Sequence, residues 1–466
     1  MTTTQQQDAP IPAPVHDVVH DLVGVGIGPF NLALAALLDG VPEADRPRAL
    51  FLDAKPAFSW HPGLLLEGTV LQVPFLADLV TMADPTSRWS YLNYLREHDR
   101  MFPFFFSERF HIPRREYDHY CRWVTENLPS CRFDARVTEL AWDESADTFL
   151  LTCRSSDGTV SSVRARQVVL GVGTAPVVPE PLRPYTGTPS DTAPRVLHSA
   201  DYRAHRDRLA ALDDVTVIGA GQSGAEVVLD LLRRQNGDGA GGPYVRWLAR
   251  TPAFAPMEYS KLGLEHFTPD YIRYFRALPE ARRERLVREQ WQLYKGVSAE
   301  TLGEIHDELY ERTIGGTEPR AALHPGVAVE AVERSSPDPA YVLTCRHTEQ
   351  DTRFTVRTSA IVSATGYAAA RPDFLDGLAK LVEWDEHGRY RIDGAYRVAL
   401  DRRVTGTLYV QNAELHTHGV GAPDLTLGAW RAATILNAVA GRTVLKVPDR
   451  AAWTTFGAPA PEGGTG

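Results

Sequence analysis

Two glycine-rich turns, each lying between an apolar strand pattern and a helix pattern, constrain the fold of this chain more than any other feature. In the second turn, Gly219, Gly221 and Gly224 form a complete G-x-G-x-x-G after the segment DVTVI. The first glycine of this pattern allows a tight turn, the second lets backbone approach a pyrophosphate, and the third lets helix and strand pack closely. The pattern predicts a Rossmann-like dinucleotide-binding unit; a tight turn in an ordinary α/β core is the alternative.

The first turn departs from this spacing. Gly24, Gly26 and Gly28 are followed by Pro29, so the sixth position counted from Gly24 is not glycine. The next strand pattern ends at Asp53, whose carboxylate is placed to accept hydrogen bonds from a ribose. This arrangement suits the ADP half of FAD. Two dinucleotide turns, the first near the N-terminus, are typical of chains that bind FAD first and NADH or NADPH second.

The residue after the second strand of the second unit indicates which nicotinamide nucleotide is bound. Arg250 ends the segment YVRWLAR. An arginine at this place can pair with a 2′-phosphate, whereas an acidic residue would prefer a free 2′-hydroxyl. Arg250 therefore favours NADPH, and a solvated arginine is the alternative.

These patterns predict an α/β fold with two Rossmann-like domains, for FAD and NADPH, and a helical substrate-binding insertion. The strand–turn–helix pattern restarts at Asp214, and Arg, Glu, Leu and Tyr recur at helical spacing between Pro269 and Glu311. The expected divisions are a disordered leader at 1–14, an FAD domain at 15–208 and 355–450, an NADPH domain at 209–354 with its insertion at about 265–315, and a disordered tail at 455–466.

Composition argues against several classes of protein. A net charge of -10 disfavours a nucleic-acid binder, which needs a basic face. The four cysteines form no C-x-x-C pair, which disfavours a disulfide framework or a zinc site. No apolar run reaches the roughly 18 residues that span a bilayer, and the N-terminus lacks the pattern of a signal peptide. We expect a cytoplasmic protein without bound metal, nucleic acid or membrane.

Five longer segments carry a family resemblance. In chain order they are GVGIGPFNLALA, FSWHPGLLLEGTVLQVPFLADLVTMADPTSRWSYLNYL, GAGQSGAEV, SATGY and LHTHGVGAPDLTLGAWRAATILN. Together, over about Asp17 to Gly441, they resemble the N-hydroxylating flavin monooxygenases of siderophore biosynthesis. That family comprises lysine N6-, ornithine N5- and diamine N-monooxygenases, and the LTLGAW segment is more similar to the lysine and diamine branch.

The resemblance implies an activity and its cofactors. NADPH would reduce FAD, the reduced flavin would react with O₂ to a C4a-hydroperoxide, and a neutral primary amine would take the distal oxygen and become a hydroxylamine. Because the flavin carries this chemistry, no side chain is expected as a catalytic nucleophile. A small amine and O₂ are the implied partners, and a homo-oligomer, tetramer or dimer, is the implied assembly.

The resemblance also implies site residues. Those expected around FAD, besides the first turn and the segment 53–61, are Trp60, His61, Gln72, Val137, Pro423, Asp424 and Leu425. Those expected at NADPH are Gly219, Gly221, Gln222, Ser223, Gly224, Arg250 and Lys295, with 295–297 on the nicotinamide side. Thr426 would lie beside the substrate. Core packing remains an alternative for Trp60, and a loop hydrogen bond for His61 and Gln72.

The amine substrate is less determined than the cofactors. The similar ornithine enzymes carry a lysine where this chain has Ala77, and a substrate-binding asparagine where it has Leu264. A substrate carboxylate buried beside Ala and Leu without a partner would be costly, so ornithine is disfavoured. We expect a diamine such as cadaverine or putrescine, with L-lysine as the alternative. The candidates for holding the distal ammonium are Asp424, Glu265 and Tyr259.

Two further patterns in the chain, and three other classes of protein, bear on the prediction. His416 and His418 could suggest a metal pair, but without a third ligand a hydrogen-bonding role near the flavin is favoured. The aromatic run MFPFFF at 101–106 fits packing or a subunit contact. A flavin disulfide reductase would need a redox C-x-x-C, which the chain lacks. A flavin NADPH oxidase, or a sensor that binds nucleotides without turnover, remains an alternative.

Overall fold

The computed structural model describes residues 18–186, 195–235, 241–335 and 340–459. Its strands are β1 (Val19–Val25), β2 (Ala49–Leu52), β3 (Cys131–Arg132), β4 (Arg136–Asp143), β5 (Thr148–Arg154), β6 (Val160–Leu170), β7 (Thr174–Pro176), β8 (Val196–His198), β9 (Asp214–Ile218), β10 (Tyr244–Leu248), β11 (Ala321–His324), β12 (Val327–Arg334), β13 (Tyr341–His347), β14 (Thr352–Thr358), β15 (Ile361–Ser363), β16 (Tyr367–Ala369) and β17 (Thr407–Val410). Its α-helices are α1 (Pro29–Asp39), α2 (Tyr91–Glu97), α3 (Met101–Ser107), α4 (Arg114–Asn127), α5 (Tyr202–Ala210), α6 (Gln222–Arg233), α7 (Pro269–Ala277), α8 (Glu280–Glu289), α9 (Trp291–Tyr294), α10 (Ala299–Thr313), α11 (Leu415–His418) and α12 (Gly428–Ala440).

The first sheet carries the N-terminal glycine turn at the end of a central strand. Its order is β3-β2-β1-β6-β5-β4, and β17 pairs in parallel with the end of β6. β1 runs parallel to both β2 and β6, so Val23 lies between Leu50 and Val168. A central parallel strand is covered on both faces, which explains why β1 is apolar without alternation at Leu22–Val25.

The second sheet is entirely parallel and carries the other glycine turn, at the end of β9. Its order is β11-β10-β9-β15-β8. Two of these strands lie outside the predicted NADPH segment 209–354, because β8 precedes that segment and β15 follows it. The short apolar strand β15 hydrogen-bonds to β9 and not to the first sheet, which corrects the assignment of 361–363 to the FAD domain. The two parallel sheets confirm the predicted α/β class with two Rossmann-like units.

Helices α7 to α10 lie between β10 and β11, in the part of the chain where a helical insertion is predicted. An antiparallel sheet, β12-β13-β14, follows them. The leader, 1–14, and residues 460–466 of the tail lie outside the described residues. The prediction that disorder begins at 455 is wrong for Phe456, whose ring centroid lies 5.0 Å from that of Tyr271 on α7. In the parts of the chain that the structure describes, no helix combines the length and apolar character of a membrane crossing.

Candidate cofactor and substrate site

The two glycine turns have the same backbone geometry, which defines the register of the first one. Gly26 follows the last residue of β1 with φ 89°, as Gly219 follows the last residue of β9 with φ 129°. Gly28 caps α1 with φ −89° and ψ 176°, and Gly221 caps α6 with φ −87° and ψ 178°. The first fingerprint therefore starts at Gly26 and not at Gly24.

This register places Asn31, and not Pro29, at the position of the third glycine. In the second turn that position is Gly224, where an added Cβ would overlap the Gly219 carbonyl oxygen. In the first turn the fully buried Asn31 donates its Nδ2–H to the equivalent carbonyl, that of Gly26, at 2.8 Å. A hydrogen bond thus replaces the close packing that glycine provides in the second turn.

Gly24 has a packing role, contrary to its prediction as a cofactor-binding residue. It lies within β1, where an added Cβ would overlap the ring of Phe51, and it does not line the cavity beside the turn. The requirement for glycine at this position comes from the β1–β2 contact.

A cavity of about 950 Å³ adjoins the first turn. Several predicted FAD residues line it, namely Gly26, Gly28, Pro29, Asp53, Trp60, His61, Val137, Pro423 and Leu425, whereas Gln72 and Asp424 do not. Sequence reasoning missed other lining residues, among them Gly171, Gly173, Tyr367, Gln411 and Asn412. Sequence patterns could have identified the glycines after β6 and Tyr367 in the SATGY segment. Gln411 and Asn412 belong to no local pattern that would have indicated them.

Asp53 lies in this wall, but its carboxylate already accepts two backbone hydrogen bonds. Its Oδ2 accepts from the Ile27 N–H at 2.7 Å, and its Oδ1 accepts from the Lys55 N–H at 2.8 Å. Because each carboxylate oxygen has two lone pairs, Asp53 can brace the glycine turn and still accept a ribose hydroxyl.

Trp60 and His61 form the aromatic part of the wall. The Trp60 N–H donates to Asp118 Oδ1 at 2.9 Å, and its ring meets that of His61 edge to face at 4.8 Å between centroids. His61 has a left-handed backbone, with φ 46°, and begins the short turn Pro62–Leu64. His61 is exposed to the cavity, yet desolvation by the surrounding protein atoms, together with the nearby cation of Arg114, lowers its pKa to about 4. The imidazole is therefore neutral at physiological pH.

The lining residues fit a dinucleotide such as FAD. Gly28, Pro29 and Phe30 bring the N-terminus of α1 to the cavity, and helix N-termini favour phosphate. A Cβ added at Gly28 would meet nothing nearer than the Gly171 carbonyl oxygen at 4.0 Å, so the turn leaves open space for a ligand. The volume also lies in the range of cofactor sites.

The second turn fits a second dinucleotide. A Cβ added at Gly219 would overlap the Ala364 carbonyl oxygen, whereas one at Gly221 would lie 3.5 Å from the Lys295 carbonyl oxygen. The backbone of Lys295 thus lies beside the turn, and the contact of its side chain with NADPH stays a prediction. Ser223 lies in the first turn of α6, where helix N–H groups favour phosphate.

Gln222 connects this turn to other segments. Its Oε1 accepts from the Ser298 N–H at 2.8 Å and from Gln72 Nε2 at 3.2 Å. Gln72 therefore lies at the second turn and not in the wall of the first cavity. Arg250 is exposed after β10, and no hydrogen bond or ion pair of its side chain is present among the described residues. Its pairing with a 2′-phosphate stays a prediction.

The predicted substrate residues differ in what their side chains contact. Glu265 is occupied, because its two oxygens accept the N–H groups of Trp453 and Thr454 at 3.1 and 2.7 Å. Ala77 is buried, with 3% of its surface exposed, whereas Leu264 is 42% exposed. The carboxylate of Glu265 is therefore not free to bind an ammonium. Leu264 lies on the surface of its turn.

Asp424 differs from Glu265 because its carboxylate lies next to the cavity. It lies between the cavity-lining residues Pro423 and Leu425, and its Oδ1 accepts from the Thr426 N–H at 2.7 Å. Burial raises the pKa of the Asp424 carboxyl. Burial and then the charge of Asp424 raise the pKa of Tyr259 to about 12. Asp424 and Thr426 therefore form a hydrogen-bonded pair next to the cavity, and the charge of Asp424 reaches Tyr259.

The two histidines of HTHG make hydrogen bonds within the protein. His416 Nε2 lies 2.9 Å from the Tyr390 carbonyl oxygen. His418 Nδ1 lies 2.8 Å from Thr417 Oγ1, and its ring stacks on Tyr396 at 4.4 Å between centroids. These contacts agree with the hydrogen-bonding role predicted for both side chains.

With this geometry established, comparison with known proteins identifies the class. Residues 18–369 match the family model of L-lysine 6-monooxygenase/L-ornithine 5-monooxygenase. The chain is 46% identical to the rhizobactin siderophore biosynthesis protein RhbE of Rhizobium meliloti (strain 1021), over 94% of this chain and 95% of that protein. It is 41% identical to a putrescine N-hydroxylase of Shewanella oneidensis, over 94% of this chain and 84% of that protein.

Solved structures agree with this assignment. The FAD-bound crystal structure of DfoA, a desferrioxamine-pathway cadaverine monooxygenase from Erwinia amylovora, has a TM-score of 0.89 at 35% identity, covering 95% of this chain and 100% of that one. The Kutzneria sp. 744 ornithine N-hydroxylase KtzI, with reduced FAD, NADP⁺ and L-ornithine, has a TM-score of 0.81 at 26% identity, covering 91% and 99%. The chain belongs to the L-lysine 6-monooxygenase/L-ornithine 5-monooxygenase family of N-hydroxylating flavin monooxygenases, and the resemblance stated from its sequence is confirmed.

Proposed function

We propose that this enzyme binds FAD at the first turn and NADPH at the second, and uses O₂ to hydroxylate a terminal primary amine of cadaverine or putrescine in hydroxamate siderophore biosynthesis. The observation that carries the choice of a diamine is Asp424, a half-buried carboxylate next to the flavin cavity. The cadaverine and putrescine enzymes among the similar proteins support the same choice.

The carboxylate of Asp424 is matched to an ammonium. In the described residues its hydrogen-bond donors are the N–H and the side chain of Thr426, which leaves lone pairs for a cation. An ammonium would restore the ionised form that burial disfavours, because an opposite charge lowers a carboxyl pKa. A substrate α-carboxylate at the same place would be repelled. Asp424 therefore favours a diamine over an amino acid.

Bound FAD would supply the oxygen chemistry, and the side chains of this chain bind and orient the reactants. The glycine turns and helix N-termini would hold the two pyrophosphates, and Trp60 and His61 would form an aromatic wall beside the flavin. Neutral His61 adds no charge there. Asp424 fixes one end of the diamine, so the other end faces the flavin as a free amine.

L-lysine is the alternative substrate, and it is favoured by a specific similarity. The chain is 33% identical to the L-lysine N6-monooxygenase of Escherichia coli, over 91% of this chain and 95% of that protein. An NADPH oxidase without amine hydroxylation would fit the same cofactor sites. We also propose a cytoplasmic homo-oligomer that takes a small amine and O₂ as partners.

A substrate panel tests the proposal. Hydroxylamine formation and NADPH oxidation are measured with cadaverine, putrescine, L-lysine and L-ornithine. We expect efficient turnover of a diamine, and efficient turnover of lysine without diamine activity would refute the proposal. NADPH oxidation without hydroxylamine from any amine would identify an oxidase.

The Asp424→Asn variant tests the ammonium anchor. Loss of a charge-assisted hydrogen bond worth about 1.5–3 kcal/mol corresponds to a KM for the diamine raised at least about tenfold. Glu300→Gln, at an exposed residue whose charge also acts on Tyr259, is the matched control and should leave this KM unchanged. An unchanged KM in Asp424→Asn, or a raised one in Glu300→Gln, would reject Asp424 as the anchor.

The pH dependence of the reaction is a further prediction. Free alkyl amines have pKa values near about 10.4, and the attacking amine must be neutral. The neutral fraction grows about tenfold per pH unit below that value, so kcat/KM should rise from pH of about 6 to about 9. A flat profile in steady-state assays over this range would contradict a free amine as nucleophile.

A further inference from the structure

A buried ion pair joins the two nucleotide-binding units. Arg114 begins α4, which packs against the first unit, and Glu226 lies in the second turn of α6. Arg114 Nη1 donates to Glu226 Oε2 at 2.8 Å and Nη2 donates to Oε1 at 2.6 Å, a two-bond fork. Arg114 is 8% exposed and Glu226 is 4% exposed. The ion pair is thus shielded from water, and its two hydrogen bonds fix the orientation of the two side chains.

Each end of the fork is connected to a cofactor segment. On the first unit, Arg114 Nη1 also donates to the Leu64 carbonyl oxygen at 2.9 Å, within the turn that follows His61. On the second unit, Glu226 Oε1 accepts from Gln222 Nε2 at 3.0 Å. Gln222 is the first helical residue after Gly221. The hydrogen bonds therefore run from the flavin-side wall to the second glycine turn.

Two other contacts cross the same boundary. Gln72, from the loop of the first unit, donates to Gln222 Oε1 at 3.2 Å. Gly63 lies against the backbone of Ala200, in the segment that follows β8 of the second sheet. A Cβ added at Gly63 would overlap the Ala200 carbonyl oxygen. The segment 61–72 is thus held against the second unit by a fork, an amide hydrogen bond and a backbone contact.

Buried ion pairs add little net stability, because desolvation offsets their attraction. Their best-attested use is to specify one arrangement over another, since a displaced charge would be left unpaired. A hydride donor must be held close to its acceptor, and small misplacements lower rates strongly. An ion pair between the two nucleotide units is suited to that requirement.

We propose that Arg114 and Glu226 are positioning residues that hold the second glycine turn and α6 at the working distance from the flavin-side segment 61–72. This inference rests on the proposed binding of FAD and NADPH, but it does not depend on which amine is hydroxylated. Neither residue contacts the reacting atoms; both act through Gln222 and the turn after His61.

The test compares Glu226→Gln with the double variant Arg114→Met/Glu226→Leu, measured as FAD-loaded protein without amine. We expect NADPH to bleach the flavin at least tenfold more slowly in both variants, with the dissociation constant of NADP⁺ changed less than threefold. Hydrogen exchange of the NADPH-free protein should be faster at 296–302, because the Ser298 N–H donates to Gln222. Glu304→Gln is the control, since its exposed pair with Arg233 of α6 lies outside this connection.

The double variant separates a positioning role of the ion pair from a contribution to stability. Apolar replacement of a buried ion pair is often neutral or stabilising, so this variant should keep the melting temperature and the FAD content of the wild type. A wild-type bleaching rate in the folded double variant would overturn the positioning role. An equal loss of melting temperature, FAD content and bleaching rate in both variants would assign the pair a merely structural role and also overturn it. Absence of bleaching in the wild type would instead refute the proposed cofactors.

Discussion

Gly26 and Gly28 are two residues apart, but their surroundings differ. Gly26 has φ 89°, and an added Cβ would lie 2.5 Å from the Gly171 carbonyl oxygen. Gly28 has an extended backbone, and its added Cβ would meet only that oxygen, at 4.0 Å. The first glycine is required by the protein itself, and the second by what the cavity is to hold.

Alanine at these two positions should therefore have different effects. Gly26→Ala should destabilise the apoprotein by about 1–3 kcal/mol through backbone strain. Gly28→Ala should keep apoprotein stability but lose flavin, because its methyl group occupies cavity space. Thermal melting of the apoprotein and the ratio of flavin to protein absorbance measure the two effects. A Gly28→Ala protein with a full complement of FAD would contradict the assignment.

The role of Asn31 also follows from the register of the first glycine turn, in which it takes the place of the third glycine. Besides its bond to Gly26, its Oδ1 accepts from Gln411 Nε2 at 2.7 Å. Asn31→Ala would leave these buried groups unpaired, at a cost of about 1–3 kcal/mol in the free energy of unfolding.

Urea denaturation of Asn31→Ala measures this cost. Asn127→Ala is the matched control, because the exposed Asn127 makes one hydrogen bond to the Trp123 carbonyl oxygen. That control should change stability by less than about 0.5 kcal/mol. Equal effects in the two variants would show that Asn31 does not support the turn.

At the scale of elements, the start of α12 holds the loop that reaches the cavity. Arg431 is 1% exposed and donates through Nη2 to the carbonyl oxygens of Gly421 and Ala422, at 3.2 and 2.7 Å. Its Nη1 lies 2.9 Å from Glu414 Oε1, and Glu414 is fully buried. The buried arginine thus holds the backbone just before Pro423 and Asp424.

Removing the charge of Glu414 should be strongly destabilising. Glu414→Gln leaves Arg431 buried without its anion, at a cost of about 3–5 kcal/mol in the free energy of unfolding. Chemical denaturation measures it, with Glu289→Gln as control. The exposed Arg285–Glu289 pair, at 3.4 Å, should contribute less than about 1 kcal/mol. A loss of the same small size in both variants would contradict the structural role of the Glu414–Arg431 pair.

Helix α3 presents the opposite case, because only Phe104 of its phenylalanines packs against the core. None of its residues is buried, and Phe102, Phe105 and Phe106 are 74%, 72% and 72% exposed. Packing within the chain, one of the two roles expected for MFPFFF, is therefore wrong for these three rings. The subunit contact stays a prediction.

At the scale of the whole molecule, stability depends on pH through buried histidines. Burial, with the nearby cations of Arg276 and Arg431, holds the pKa of His418 well below its usual value of 6.5. Below that pH the unfolded chain takes up a proton that the folded protein excludes. The contribution of His418 to stability is thus complete above pH 6.5 and is lost as the pH falls.

His418→Gln removes this proton uptake. Between pH of about 6.5 and 5, the stability of the variant relative to wild type should rise by up to about 1.4 kcal/mol per pH unit. Urea denaturation at several pH values measures the difference. A difference that stays constant with pH would mean that His418 takes up its proton in the folded protein as readily as in the unfolded chain.

Local patterns were sufficient where function depends on neighbouring residues. Both glycine turns, the α/β class and the enzyme family follow from short segments, because a strand, a turn and a helix N-terminus form within about a dozen residues. The short segment around Ala77 also shows that the lysine of the ornithine enzymes is missing here. Residue roles that depend on partners far away in the chain could not be predicted from the sequence.

What the sequence by itself determined is thus the pair of dinucleotide turns and the kind of chemistry they serve. Tertiary structure decided which groups are free to act. Glu265 is occupied by backbone 188 residues away, whereas Asp424 lies beside the cavity with a local partner. Asn31, which stands where the second turn has a glycine, is held by Gln411, 380 positions away. Such contacts leave no periodic trace in the chain, because only folding brings the two partners together.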